Sequence, residues 1–267
     1  MTNFDKKNTA FFLGGRDLEM ERIRYILEGN GCEVFDKNLN WGAHASAYTE
    51  EILAAIVAGN KLVLVELDNQ PHEATEKEPK KVPVDLPEDV ILVDHHGEQA
   101  HRPASILQIL ALLGQESTRY DLLIAADDAA GGPVGLVSFG VTPEEFNIIR
   151  AEGRKAQGVT EKQEVEAARA IAAAERCGRL VIVRCAHSKC APITDQLFPF
   201  WPDGKENVII ISDDGEVNYF GGGSVRAAIV ESFPNGWHSS LEGNGYWGGK
   251  PGDRTDELIK LIKKLAG

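Results

Sequence analysis

Cysteine is scarce. The chain has four in 267 residues, Cys32, Cys177, Cys185 and Cys190, and no Cys-x-x-Cys pair. That count and spacing offer neither a disulfide framework nor a zinc ribbon, and suit buried or free thiols in a reducing compartment. No apolar run approaches the roughly 18–20 residues of a membrane span. The opening Met-Thr-Asn-Phe-Asp-Lys-Lys-Asn holds no apolar segment of the secretory type. The expectation is a cytoplasmic protein with no membrane association. Positive charge is also in short supply: 28 Lys+Arg stand against 41 Asp+Glu, a formal charge of −13. A field of that sign opposes binding to long duplex nucleic acid and to anionic lipid, while tolerating small ligands and metal cations.

Hydrophobic residues make up 43% of the chain, enough for a core without covalent staples, in one large domain or two modest ones. The first half alternates apolar runs with amphipathic stretches. Strands are expected at 9–13, 32–35, 62–67, 90–93 and 122–126, with helices at 17–27, 48–57 and 105–113 between them. Strands alternating with helices imply an α/β domain with a mostly parallel sheet. Thr142-Pro-Glu-Glu and Thr160-Glu-Lys-Gln are capping-box signatures that open helices through about residue 154 and over 164–176. Further on, 180–183 and 208–212 read as strands, Asp213-Asp-Gly as the turn of a hairpin to 216–220, and 255–265 as a terminal amphipathic helix. The expected organisation is an N-terminal domain over 1–150, a helical linker over 151–178 and a smaller α/β domain over 179–267, with a cleft between the domains. The charged stretch 73–81 reads as a flexible surface loop.

The chemistry concentrates where apolar runs end. Asp17 with Glu19, Asp68, Asp94-His95-His96 and Asp127-Asp128 each follow such a run. In open parallel sheets the ligand crevice lies outside the C-terminal ends of the strands. Carboxylate oxygens together with imidazole nitrogens form the ligand set of manganese, magnesium, iron or zinc. A single strand-end Asp is usually a turn or cap residue; four such deliveries, one carrying adjacent histidines, point to a metal site.

Val90-Ile-Leu-Val-Asp94-His95-His96 resembles the signature of the DHH phosphoesterase superfamily, which includes RecJ-type exonucleases, oligoribonucleases and manganese-type pyrophosphatases. Asp68 is similar to that superfamily's second motif and Asp127-Asp128 to its fourth, so the resemblance covers about residues 9–130. Gly221-Gly222-Gly223-Ser224-Val225-Arg226-Ala-Ala is similar to the GGGHxxAA motif of the DHH-associated C-terminal domain. The resemblance implies Asp68 as a bridge between two metals, Asp17, Glu19, His95 and Asp128 as ligands with Asp127 competing for the last place, and Asp94 as a ligand or as the orienter of an imidazole. It implies catalysis by Asp68, Asp94, His95 and His96, with His96 facing the substrate phosphate. Gly221, Gly222, Gly223, Ser224 and Arg226 would hold the substrate, joined by Arg16 and Arg102.

The pattern departs from the family in the first motif, where Leu13 and Glu19 stand in place of a histidine and an aspartate, and at Ser224, which replaces the family's histidine. His44, in the loop from Trp41 to Tyr48, is a candidate replacement for the missing histidine. Cys185-Ala-His187-Ser-Lys189-Cys190, Phe198-Pro-Phe200-Trp201-Pro and the aromatics Tyr219, Phe220, Tyr246 and Trp247 read as substrate-loop, packing-corner and ring-contact candidates. The implied activity is hydrolysis of a phosphodiester or phosphoanhydride bond in a nucleotide, dinucleotide or short oligonucleotide. The implied cofactor is a divalent cation, manganese with magnesium as the alternative, and a homodimer is compatible. The rival expectation is a non-catalytic protein of the same fold that binds a nucleotide or phosphate.

Overall fold

The run Thr9–Leu13 is buried at every position, and this explains why it reads as continuous hydrophobics and not as an alternation. The computed structural model describes residues 5–74, 80–129, 132–197, 207–239 and 241–267; the packing-corner candidate at 198–202 and the middle of the 73–81 loop lie outside them. The chain divides into two units, residues 1–157 and 158–267. In the first, β1 (Thr9–Leu13) lies between β2 (Glu33–Phe35) and β3 (Lys61–Val65), and β4 (Ile91–Val93) forms the far edge. The order is β2-β1-β3-β4 and all pairs are parallel.

Alternate residues of the central strands feed two cores. Phe11, Leu13, Val63 and Val65 pack with α1 (Leu18–Gly29), α3 (Ser105–Leu113), α4 (Arg119–Ala129) and α6 (Pro143–Ala156). Ala10, Phe12, Leu62 and Leu64 pack with Tyr48 and with Ile52 of α2 (Thr49–Val57) on the opposite face. Register then fixes the top edge of the sheet: Leu13 pairs with Val65, and Val65 with Val93. Three strands therefore end in one row, and whatever follows each of them arrives at the same edge.

Two local expectations are corrected here. Residues 122–126 are not a strand but the middle of α4, so Asp127 and Asp128 come from a helix end. The cause is a cap that sequence inspection passed over: the Thr118 N–H and hydroxyl donate to Asp121 Oδ2 at 2.8 and 2.6 Å, and the Asp121 N–H donates back to Thr118 Oγ1 at 3.2 Å. Behind that reciprocal cap, Leu-Leu-Ile-Ala-Ala is a good helix former. Strand β3 also ends earlier than expected, at Val65, leaving Asp68 outside it. Past α4 come α5 (Pro133–Phe139) and α6, the latter opened by the expected Thr142–Glu145 capping box.

The second unit contains α7 (Glu161–Ala172), β5 (Glu175–Cys177), β6 (Leu180–Cys185), α8 (Ala191–Leu197), β7 (Asn207–Ser212), β8 (Val217–Gly222), α9 (Gly223–Ser232), β9 (Trp237–His238), β10 (Asn244–Gly249) and α10 (Thr255–Ala266). Its sheet runs β5-β6-β7-β8-β10-β9; β6 and β7 are parallel and the other pairs antiparallel. The expected β7–β8 hairpin is present. The expected helix to residue 176 stops at Ala172, because Gly178 at φ 60° turns the chain back so that β5 pairs with β6. The apolar stripe of α10, Leu258, Ile259 and Ile262, joins Trp247 in this unit's core. Among the described residues no helix is long and apolar enough to cross a membrane.

Candidate metal centre

Glu66 is the first residue after β3, and its backbone is unusual. Its φ is +51°, a left-handed conformation that costs a non-glycine residue about 1–2 kcal/mol. Its N–H donates to the Val93 carbonyl at 2.8 Å, which ties the turn to β4. The result is a carboxylate delivered at the strand-end row. His95 and His96 follow β4 at the same edge, Glu19 comes from the first turn of α1, and Asp128 from the last turn of α4.

These side chains converge. His95 Nε2 lies 2.7 Å from Asp128 Oδ2, 3.4 Å from Glu66 Oε1 and 3.5 Å from Glu19 Oε2. Glu66, His95, His96 and Asp128 each offer one ligand atom, and all four atoms lie within 4.8 Å of one another. The second oxygen of Glu19 is fixed by the N–H of Ile106, at 3.0 Å, in the first turn of α3. Four buried atoms here, Glu19 Oε2, Glu66 Oε1, His95 Nε2 and Asp128 Oδ2, have no hydrogen bond of sound geometry. Three carboxylate oxygens and an imidazole nitrogen facing one point fit a divalent cation of the manganese, magnesium or zinc kind.

The electrostatics agree. Burial pushes the Glu19 carboxyl well above its usual range, with the charges of Asp128 and Glu66 adding to it. Burial also lifts Asp17 to about 7, against the Met20 N–H, which holds it down. Glu66 is pulled up by burial, but its close approach to His95 and to Glu19 outweighs that and leaves it lowered. Burial opposes charge on His95, yet Asp128, Glu19 and Glu66 hold it up to about 12. The cage favours positive charge at its centre.

The other expected residues are placed as follows. Asp17 caps α1 by accepting the Met20 N–H at 2.8 Å, and takes the Trp41 indole N–H at 3.3 Å. Asp94 turns towards His96, with Oδ1 accepting from its N–H at 2.8 Å and lying 3.1 Å from Nδ1. Asp68, expected as the metal bridge, lies beyond the strand end and outside the four-atom group. Its carboxylate meets His72 Nε2 at 2.5 Å and the Gln70 N–H at 2.8 Å. Asp127 accepts twice from Arg150 Nη1, at 2.8 and 2.9 Å, on α6. Leu13 is wholly buried in the core. His44 is engaged by Ser46 and the Gln70 carbonyl, Arg16 by Glu21, and Arg102 by the Leu92 carbonyl. Glu66 is the site residue that sequence reading missed. Its only local signal is its place directly after a run of strand formers.

In the second unit, Gly221 and Gly222 end β8, while Gly223 and Ser224 open α9. Gly223 has no room for a side chain, because a Cβ there would overlap the Leu241 carbonyl oxygen. Arg226 is fully buried and donates to the carbonyls of Gly221, at 2.7 Å, and Glu242, at 3.3 Å. We expect Arg226→Met to lower stability by about 1–3 kcal/mol, since those carbonyls lose their donor, read as the midpoint of urea unfolding. An unchanged midpoint would contradict that tie. Cys190 is pushed up to about 12 by burial, and so remains a thiol, and His187 Nε2 meets the Gln163 carbonyl at 3.0 Å.

No family model and no curated protein matches the chain. Among solved structures it is similar in fold to exonuclease RecJ bound to manganese, at 11% identity and a TM-score of 0.45, covering 97% of this chain and 90% of that one. It is also similar to PggH, a pGpG-specific phosphodiesterase from Vibrio cholerae, at 9% identity and a TM-score of 0.43, covering 97% and 100%. A third similar structure is the DHH domain of a member of a family of ribosomal proteins, at 10% identity and a TM-score of 0.42, covering 98% and 87%.

Proposed function

We propose that this protein is a divalent-cation-dependent phosphoesterase that hydrolyses a phosphodiester or phosphoanhydride bond in a nucleotide, dinucleotide or short oligonucleotide. The observation that carries the reading is the convergence on one point of four buried atoms, from Glu19, Glu66, His95 and Asp128, that make ion-pair contacts with one another but no hydrogen bond of sound geometry. Glu66, His95 and Asp128 would hold a cation, manganese or magnesium, with Glu19 locked beside them. Such an ion would act as a Lewis acid, polarising a phosphoryl oxygen and lowering the pKa of an attacking water.

The chain's own groups do the rest. Asp94 holds His96 through both its N–H and Nδ1, which fixes that exposed ring beside the cluster, where it could meet an arriving phosphate. The Ile106 N–H holds Glu19 in one orientation, so the cage is set before ligand arrives. Leu13 offers no ligand atom and Asp68 is engaged elsewhere, which favours one cation over two.

Manganese titration by calorimetry, followed by a hydrolysis panel of nucleotides and short oligonucleotides, tests this. The expected result is one Mn2+ per chain and hydrolysis that disappears with chelator. Absence of Mn2+ binding overturns the reading. Mn2+ and nucleotide binding without turnover over the whole panel instead gives a nucleotide- or phosphate-binding regulatory protein.

A further inference from the structure

Trp41 places an indole that is 69% exposed beside the metal centre. Its Nε1–H donates to Asp17 Oδ2 at 3.3 Å, and the Asp17 carboxyl is close enough to Asp128 and Glu66 to feel both charges. A tryptophan on an exposed loop ordinarily turns freely, but this one is fixed from both sides. Before it, the Leu39 carbonyl accepts the Arg16 N–H at 2.8 Å, and Leu39 bridges Gly15. After it, the Ala43 carbonyl accepts the Asp68 N–H at 3.0 Å, and the Ala45 N–H donates to the Asp68 carbonyl at 2.8 Å. The loop is thus sewn to the turns that follow β1 and β3. Gly15 completes the seat: a Cβ there would lie 2.9 Å from the nitrogen, Cα and Cδ1 of Trp41.

Core packing does not explain a ring left this open, and a hydrogen bond to Asp17 needs only a small amide. What the arrangement adds is a flat, apolar, preorganised face at the rim of a cation site. An aromatic face of that kind stacks a nucleobase, and its rigidity reduces the entropy lost on binding. We propose that the Trp41 indole is the stacking surface for the base of a nucleotide or oligonucleotide end whose phosphate meets the Glu66–His95–His96–Asp128 cluster. This rests on the reading of that cluster as a phosphate-directed cation site, and it narrows the substrate to phosphates that carry an aromatic base.

The test uses the full chain in Mn2+, with AMP and ribose 5-phosphate, which lacks the base, as probes in calorimetric titrations. The wild type is expected to bind AMP about tenfold or more tighter than ribose 5-phosphate, the contribution of one stacked base. Trp41→Ala is expected to weaken AMP by about 5- to 100-fold while leaving ribose 5-phosphate within about twofold. Trp41→Phe keeps a ring without the indole N–H and should retain most of the preference for AMP. In turnover, the loss is expected in KM for the nucleotide and not in kcat. Equal binding of the two probes by the wild type, or an equal loss of both in Trp41→Ala, overturns the stacking role. If Mn2+ still binds in that case, the phosphoesterase reading stands alone; if Mn2+ does not bind the wild type, both readings fall.

Discussion

Glu66→Gln is expected to weaken Mn2+ binding by about 100-fold or more, at the upper end of what even the loss of a ligand's supporting partner costs. Asp68→Asn is expected to leave Mn2+ affinity within a few-fold. The contrast follows from where the two carboxylates lie. Glu66 Oε1 is buried, without a sound hydrogen bond, and 3.4 Å from His95 Nε2. Asp68 spends its charge on His72 and the Gln70 N–H. An amide in place of the Glu66 carboxylate would keep the shape and lose the negative charge that a divalent ion needs. Thermal unfolding gives a second readout: at a concentration about 100 times Kd the metal should add about 2.7 kcal/mol to the wild type, and little to the variant. Glu66→Gly separates function from folding. It removes the ligand and relieves the left-handed φ of 51°, so Mn2+ binding should vanish while stability without metal holds or rises. Retained Mn2+ affinity in either variant, or its loss in Asp68→Asn, would show that the ion sits elsewhere.

Gly14→Ala is the second large effect, expected to cost about 2–4 kcal/mol, from the upper part of the usual overpacking range to beyond it, because main-chain atoms stand in the way. A Cβ on Gly14 would overlap the Glu66 carbonyl oxygen and lie 2.8 Å from the Val65 oxygen. Neither can rotate aside. Val65 is held in the ladder by Leu13 and Val93, and the Glu66 N–H by the Val93 carbonyl. The turn that carries Glu66 must then shift, so the loss of stability should come with weaker Mn2+ binding. Urea unfolding and calorimetry on the same preparation check both. A variant of wild-type stability would show that Gly14 is not there for close approach. Gly14 and Gly15 thus have a physical role in the stretch between β1 and α1: one lets the Glu66 turn close in, the other seats Trp41.

Much of the site was legible one residue at a time. His95 and His96 announce themselves by following a buried run, and the acids Asp17 and Glu19 by opening a helix just after β1. Glu66 was hidden because its importance lies in a backbone angle and in the exact length of β3, and strand ends are set by pairing rather than by propensity. Asp128 was found for an incomplete reason: the acid pair was visible, but its helix depended on the Thr118–Asp121 cap. Arg226 was read as a charge available to a ligand, and only its burial under Gly245 and its two carbonyl partners place it inside the fold.

The sequence by itself determined the α/β class, most strands and helices, the capping boxes at Thr142 and Thr160, and the gathering of acids and histidines where strands end. Those signals are local, carried by hydrophobic period, cap chemistry and residue type within a few positions. Only the tertiary structure decided which atoms meet. The level row of Leu13, Val65 and Val93, the turn at Glu66, the docking of α4 and the pinned Trp41 loop each depend on contacts between segments tens of residues apart. A shift of two residues along the chain puts Glu66 in the cage in place of Asp68, and spacing along the chain carries no record of that choice.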